Sequence, residues 1–320
     1  MLQTTKSPNA LNRLSALVLC SIMGVVFSPA RAADDKALQD LLRTLRDNGT
    51  IDQQTYERLE QKAAAPAPAP SSTAMHAKTK GGLLEFESAD GAFSVELGGR
   101  LMIDAATYHT HSGDPKMGDG TEIRQARLSA QGTIYRDWEY KNEIDFAGGA
   151  VNPADVYLRY TGLPVELTVG YFKEPFGLEQ LTSRRYITFM ERSLADVFVP
   201  GRNIGIGAAY HGKRYSATVG VFGKGFKSPD SSSRENDEGI GVTGRFTFDP
   251  LLQKERLVHL GIAASHRTAG DAGELGFQTR PETHISAVTL VDTGTLTGVD
   301  SFNLLGLEAA SVLGPFSLQG

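Results

Sequence analysis

Residues 137–146 read DWEYKNEIDF. Charge recurs at every second position (Asp137, Glu139, Lys141, Glu143, Asp145), with Trp138, Tyr140, Asn142, Ile144 and Phe146 between. A period of two belongs to an extended strand, whose successive side chains point to opposite faces. Here one face is almost solid charge and the other is mainly aromatic and aliphatic. A strand of this kind needs water on its ionised side and accepts hydrocarbon on the other.

The same alternation returns along the chain from Phe93 onward. Phe93, Val95, Leu97, Leu101 and Ile103 share one face, and Ser94, Glu96, Arg100 and Asp104 the other. Ala126, Leu128, Ala130 and Ile134 oppose Gln125, Arg127, Ser129, Gln131 and Thr133. Val156, Leu158 and Tyr160 oppose Asp155, Tyr157 and Arg159; Val165, Leu167, Val169 and Tyr171 oppose Glu166 and Thr168. Similar patterns recur over 204–210, 215–221, 240–248, 258–266 and 303–312. Asn152-Pro153 and Gly162-Leu163-Pro164 read as tight turns, whereas 107–120, 173–202 and 223–237 are long and polar. Strands of about ten residues, joined alternately by short turns and long loops, describe an outer-membrane barrel. The aromatics Trp138, Tyr140, Tyr160, Tyr171, Tyr210, Tyr215, Phe246 and Phe248 lie near segment ends, as interfacial girdles require. The expected fold is all-β, a transmembrane antiparallel barrel. The rival is a secreted β-sandwich or jelly roll, whose one-sided sheets also alternate. Heavily charged polar faces and the number of similar strands weigh against it.

Composition agrees. Of 320 residues 40% are hydrophobic, and the one long uncharged stretch, residues 14–27, is shorter than a spanning helix needs. Lys6 and Arg13 precede that stretch, and Ala30-Arg31-Ala32 follows it as an A-x-A cleavage site. Residues 1–32 therefore read as a secretory signal peptide. A lipoprotein signal acylated at Cys20 is the alternative, opposed by Leu19 where a small residue is expected. Cys20 is the single cysteine, which excludes an intrachain disulfide. Removing Lys6, Arg13 and Arg31 with no acids takes the net charge from −5 to −8. An acidic exported chain is a poor nucleic-acid binder.

Residues 33–62 read as a helical periplasmic segment, with Leu38, Leu41, Leu42 and Leu45 at helical spacing, a stop at Asn48-Gly49, and Thr50 or Asp52 as the next cap. Residues 63–80, AAAPAPAPSSTAMHAKTK, read as an Ala/Pro linker. The barrel domain is expected over 81–320. About eleven strands are counted, and the last residues, GPFSLQG, look like the beginning of another, so the barrel is expected to be incomplete at its C-terminal end.

The segments LLRTLRDNGTIDQQTYERLEQK, VELGGRLMID, EIRQARLSAQGTIYRDWEYKNEIDF, VGYFKEPFGLEQLTSRRYITFMERS and FNLLGLEAASVLGPFSLQG resemble, in this order, the phosphate-selective porin O and P family. The run FGLEQLTS…MERS is the most specific. The resemblance implies an outer-membrane channel of about 16 strands, often trimeric, with a loop folded into the lumen after the fifth strand and basic side chains along an anion path.

Residues 173–202 are the long interruption that the residues themselves single out. Phe176, Leu178, Leu181, Tyr186, Ile187, Phe189, Met190 and Phe198 make it too apolar for a disordered loop, so it is expected to pack on the inner wall, with 178–193 as a short helix. It carries Lys173, Arg184, Arg185, Arg192 and Arg202 against Glu174, Glu179, Glu191 and Asp196. Selective passage needs ladders of charge in a narrow bore, and a guanidinium fork suits phosphate. The candidates are Arg100, Arg127, Lys141 and Arg159 as pore-lining residues and Lys173, Arg184, Arg185 and Arg192 in the constriction loop. Arg100 and Arg127, in GGRL and ARL, match the family motif best. Lys141, flanked by Glu139 and Glu143, is expected to be ion-paired.

Three motifs are set aside. Gly239–Gly244 matches G-x-G-x-x-G, but Ile240, Val242 and Phe246 continue a strand, where a dinucleotide site needs a strand-to-helix turn. His109 and His111 lie near Asp114 without an evident third metal ligand. No Ser-His-Asp arrangement supports an enzyme. The expected function is passive diffusion of small anions, phosphate or polyphosphate among them, across the bacterial outer membrane, without a cofactor. The expected partners are those anions, outer-membrane lipids and two further copies in a homotrimer. A mixed-selectivity small-solute pore and a structural or adhesive barrel with a plugged lumen stay open.

Overall fold

The structure, a computed structural model, describes residues 43–49, 52–57, 74–80, 83–109, 111–225, 238–280 and 283–320. The signal-peptide reading over 1–32 and the Ala/Pro run of the linker lie outside the described residues. The chain forms two compact units, Met1–Ala69 and Pro70–Gly320. In the first, residues 43–47 and 53–57 are helical. Asp52 caps the second helix by accepting from the Thr55 amide at 2.7 Å. The Arg46 guanidinium lies 4.7 Å from the Tyr56 ring.

Among its described residues the second unit is one antiparallel sheet of thirteen strands in sequence order, apart from four short strands in a single loop. They are β1 Met75–Lys80, β2 Leu83–Ser88, β3 Ser94–Ala106, β4 Gly120–Ile134, β5 Trp138–Asp145, β6 Asn152–Tyr160, β7 Glu166–Lys173, β8 Arg202–His211, β9 Tyr215–Phe222, β10 Gly241–Gln253 and β11 Arg256–Thr268. The loop strands are β12 Glu274–Leu275, β13 Gln278–Thr279, β14 Val291–Asp292 and β15 Leu296–Thr297; β16 Ser301–Leu313 and β17 Phe316–Gln319 then complete the sheet. Among the described residues β1 pairs with β2 and β17 with β16, and the sheet does not close on itself. The count exceeds the expected eleven because the β1–β2 hairpin joins the sheet ahead of Phe93. Strand β1 also falls inside the stretch read as linker.

Burial is inverted relative to a soluble protein. Leu101, Ile206 and Leu307, on the apolar face, are 65%, 64% and 77% exposed, whereas Thr243, Gln125 and Glu174 are at most 1% exposed. Nothing in a water-soluble fold stabilises such an arrangement, because exposed apolar area costs about 25 cal/mol per Å². Hydrocarbon against the outer face removes that cost. Between the two edge strands the backbone is satisfied by the ladders, which a lipid setting demands at several kcal/mol per group.

The connections fall into two sets. Residues 89–93, 135–137, 161–165, 212–214, 254–255 and 314–315 make short turns at one end. Residues 107–119, 146–151, 174–201, 223–240 and 269–300 connect strands at the other end. The Asn152-Pro153 turn is corrected: both residues begin β6, with Pro153 opposite Ile144 at a register shift, a place where a missing amide is tolerated. The turn is the preceding stretch, with a 3-10 segment at Ala147–Gly149. An aromatic belt marks the short-turn end. Phe93 packs on Tyr135 (5.0 Å), Trp138 on Tyr160 (5.0 Å), Tyr210 on Tyr215 (5.8 Å), and Tyr215 on Phe246 (6.3 Å).

This polarity can be tested one face at a time. Ile206→Lys puts charge at the middle of the apolar face of β8 and should lower the unfolding free energy in lipid vesicles by about 2–4 kcal/mol. Gln131→Lys, facing the other way beside Glu96, should leave the urea midpoint nearly unchanged. Equal effects of the two would contradict the assignment of faces.

Candidate functional site

The charged side of β5 is a ladder of ion pairs. Arg127 of β4 donates to Glu143 at 2.5 Å and Asp145 at 2.7 Å. Arg100 of β3 reaches Glu143 at 3.7 Å. Lys141 meets Asp155 of β6 at 2.9 Å and Glu143 at 3.6 Å, and Arg202 of β8 shares Asp155 at 2.7 Å. Arg159 lies 3.6 Å from Glu139 and 3.7 Å from Glu166. The expected pairing of Lys141 is present, but its nearest partner is cross-strand Asp155. The i±2 geometry that suggested Glu139 instead hands that residue to Arg159.

The loop at residues 174–201 crosses in front of this ladder. At one end Phe176 is buried against β16, where a Cβ on Gly306 would lie 2.9 Å from the Phe176 ring. At the other, Arg185 donates to the Gly99 carbonyl at 3.0 Å, and Ser183 accepts from Arg100 at 3.3 Å. Glu191 bridges two arginines, Arg124 of β4 and Arg184 of the loop, each at 2.5 Å. The loop follows β7, the fifth strand counted from β3.

The helix expected over 178–193 is one turn only, Leu178–Leu181. Residues 182–193 are irregular because basic side chains take up the carbonyls that a continuing helix would use. Lys173 Nζ donates to the Gln180 carbonyl at 2.5 Å. Arg192 donates to the carbonyls of Glu179 (3.0 Å), Gln180 (3.3 Å) and Thr182 (3.0 Å). Cations at the C-terminal end of a helical turn are favoured by its partial negative charge. Of the four loop candidates, Lys173 and Arg192 thus clamp backbone, Arg184 is half of a carboxylate bridge, and Arg185 is exposed. The loop's apolar residues also divide. Phe176 packs inward, but Tyr186 and Phe189 are exposed.

A second loop, residues 269–300, was not singled out by the sequence pattern. Its strands pair as β12 with β15 and β13 with β14. Phe277 packs on Phe198 of the first loop at 4.9 Å, and His284 Nδ1 lies 2.8 Å from Glu122 Oε2 of β4.

Three internal cavities, of about 360, 720 and 460 Å³, are all lined in part by Arg184 and Arg192. The first is also lined by all four strand candidates, Arg100, Arg127, Lys141 and Arg159. Arg124, Arg202, Arg280 and His284 line others and were missed as candidates. For Arg124 the periodic signal misleads: strict alternation places it on the greasy face. A β-bulge, with Met102 opposite Gln125 but Ile103 opposite Ile123, turns it inward. His284 and Arg280 carry no periodic signal at all.

Two carboxylates of the loop, Glu191 and Asp196, differ. Burial alone would raise Glu191, but hydrogen bonds from Arg124 and Arg184 outweigh it and hold Glu191 below the usual carboxylate range. Burial pushes Asp196 above that range, against the opposing charge of Arg192. Its Oδ1 is buried without a hydrogen-bond partner among the described residues.

Arg127 neutralises two carboxylates that each keep other partners. Arg127→Ala should therefore cost about 1–3 kcal/mol in urea unfolding from lipid vesicles; an unchanged midpoint would show the ladder to be energetically idle.

Comparison with known proteins agrees with this geometry. The profile of the family described as phosphate-selective porin O and P matches residues 95–320. The chain is 30% identical over 261 residues to an uncharacterised protein of Caulobacter vibrioides, covering 78% of this chain and 52% of the relative. It is 28% identical over 274 residues to Porin O of Pseudomonas aeruginosa, covering 76% of this chain and 60% of the relative. It therefore spans about half to three-fifths of the length of these relatives. With its inverted sheet, inward-turned loop and matching profile, the chain belongs to the phosphate-selective porin O and P family, β-barrel proteins of the bacterial outer membrane.

Proposed function

We propose that the protein is a passive channel for small anions, with preference for phosphate-like oxyanions. One observation carries the reading. The 360 Å³ cavity between wall and loop is lined by Arg100, Arg127, Lys141, Arg159, Lys173, Arg184, Arg192 and Arg202, against Glu143 and Asp155 alone. Its acids are shared: Glu143 serves Arg100, Arg127 and Lys141, and Asp155 serves Lys141 and Arg202. Basic side chains therefore outnumber acidic ones in this lining between wall and loop. A low-dielectric wall strengthens their attraction for an anion. The forks of Arg127, Arg184 and Arg202 offer paired donors to a tetrahedral oxyanion. Each fork also keeps a resident carboxylate, so an incoming anion exchanges partners and binds weakly enough to leave, as conduction requires.

The membership of a porin family points to a channel rather than an enzyme. The homotrimer implied by the family resemblance belongs to this reading, and cross-linking of the full-length protein in membranes tests it.

In planar bilayers under a salt gradient, the full-length protein should give a reversal potential on the anion side, and phosphate should depress chloride current. Arg184→Ala combined with Arg202→Ala should weaken that block several-fold. Cation preference untouched by phosphate would sink the anion reading and leave a mixed pore. No current from a folded, heat-modifiable barrel would select the plugged structural barrel instead.

Acidity supplies a second test. Asp196, raised by burial, protonates as pH falls through a range above that of ordinary carboxylates, removing one negative charge beside Arg192 and Arg184. Chloride-over-potassium permeability should rise across that range. Asp196→Asn should hold it at the acidic value throughout; a pH profile identical to wild type would exclude Asp196 as the titrating group.

A further inference from the structure

Glu174 is fully buried and its carboxylate has three side-chain donors from three different strands. Asn203 Nδ2 of β8 donates to Oε1 at 2.6 Å, Thr243 Oγ1 of β10 donates to Oε2 at 2.5 Å, and Arg267 Nη1 of β11 donates to Oε1 at 2.5 Å. The partners are themselves held: Thr243 Oγ1 and Ser265 Oγ lie 2.8 Å apart, and Arg267 Nη2 donates to the Gly223 carbonyl at 3.3 Å. Glu174 is also the first residue after β7, and its amide donates to the Gly201 carbonyl at 3.1 Å, closing the root of the loop. Two residues on, Phe176 is buried against β16. Neither Glu174 nor its donors Asn203, Thr243 and Arg267 line the three basic cavities described above.

We propose that Glu174 is the positioning residue of the constriction: its buried carboxylate ties the root of the 174–201 loop to β8, β10 and β11 and so sets where Arg184 and Glu191 stand in the bore. Without this tie the root of the 28-residue loop loses its charged anchor to three strands, while Arg124–Glu191 and Arg185–Gly99 hold only its far side. The charge matters as well as the length. A neutral replacement leaves Arg267 in a buried place without its counter-ion, which costs far more than a single neutral hydrogen bond. Thr243 then loses an ionised acceptor. The role assigned to Glu174 rests on the channel reading above, since it concerns the geometry of that channel's narrowest part.

The test uses the full-length protein in planar bilayers, with chloride as carrier and inorganic phosphate as blocker. Glu174→Gln should keep the heat-modifiable mobility of the folded barrel, while chloride conductance rises, subconductance flicker appears and the half-blocking phosphate concentration increases several-fold. Glu174→Gln combined with Arg267→Met, which removes the stranded charge, should recover part of the quiet, strongly blocked state. Where Glu174→Gln yields no folded barrel, Asn203→Ala removes one donor only and should show the same changes at smaller size. A folded variant with wild-type conductance, noise and block overturns the proposal, as does a shift in thermal midpoint with no change in any current property, which marks a purely structural role. Should wild type show chloride current without phosphate block, the phosphate preference fails by itself. Conductance and flicker of the variants still decide the role of Glu174.

Discussion

Everything in this protein depends on each strand dividing oil from water across its own thickness. The exposed leucines and isoleucines of β3, β8 and β16 are stable only against hydrocarbon. The ionised residues behind them are stable only because each finds a partner or water. A one-residue slip in any strand would exchange the two faces, so the pairing register and the surroundings determine one another. The aromatic belt at the short-turn end, from Phe93 to Phe246, marks where one of those surroundings stops.

Electrostatics on the inner face follow from that arrangement. Several carboxylates there are shared between cations. Glu143, Asp155 and Glu191 each hold at least two basic side chains. Sharing ties several strands of the wall together through single carboxylates. Cations that lack a carboxylate, Lys173 and Arg192, are spent on backbone carbonyls of the loop. Basic residues on this face therefore divide into those paired with carboxylates and those bound to backbone carbonyls.

Two loops pack against that electrostatic wall. The 174–201 loop reaches from β16 to β3 and β4, and the 269–300 loop meets it through Phe277 on Phe198. Both are held by side chains distant in sequence, so their placement reports the pairing of the strands beside them more than any local preference.

Alternation along DWEYKNEIDF and its repeats was enough to specify strand, face and the need for a lipid boundary, because a period of two is a property of one chain segment and its solvent. The inward direction of Arg100, Arg127, Lys141 and Arg159 came from the same periodicity, and they do line one cavity. What the residues could not disclose was anything set by pairing between strands. The bulge that brings Arg124 inward requires knowing its partner strand. The exchange of Glu139 for Asp155 beside Lys141 is a cross-strand distance. The shortened helix after Gly177 follows from cations folding back onto its carbonyls, and the three-strand clasp on Glu174 joins residues separated by up to 93 positions. The pattern along the chain determined which face is greasy and which is ionised; only tertiary structure decided which charges meet, since long-range pairing is set by register and loop return and leaves no periodic trace.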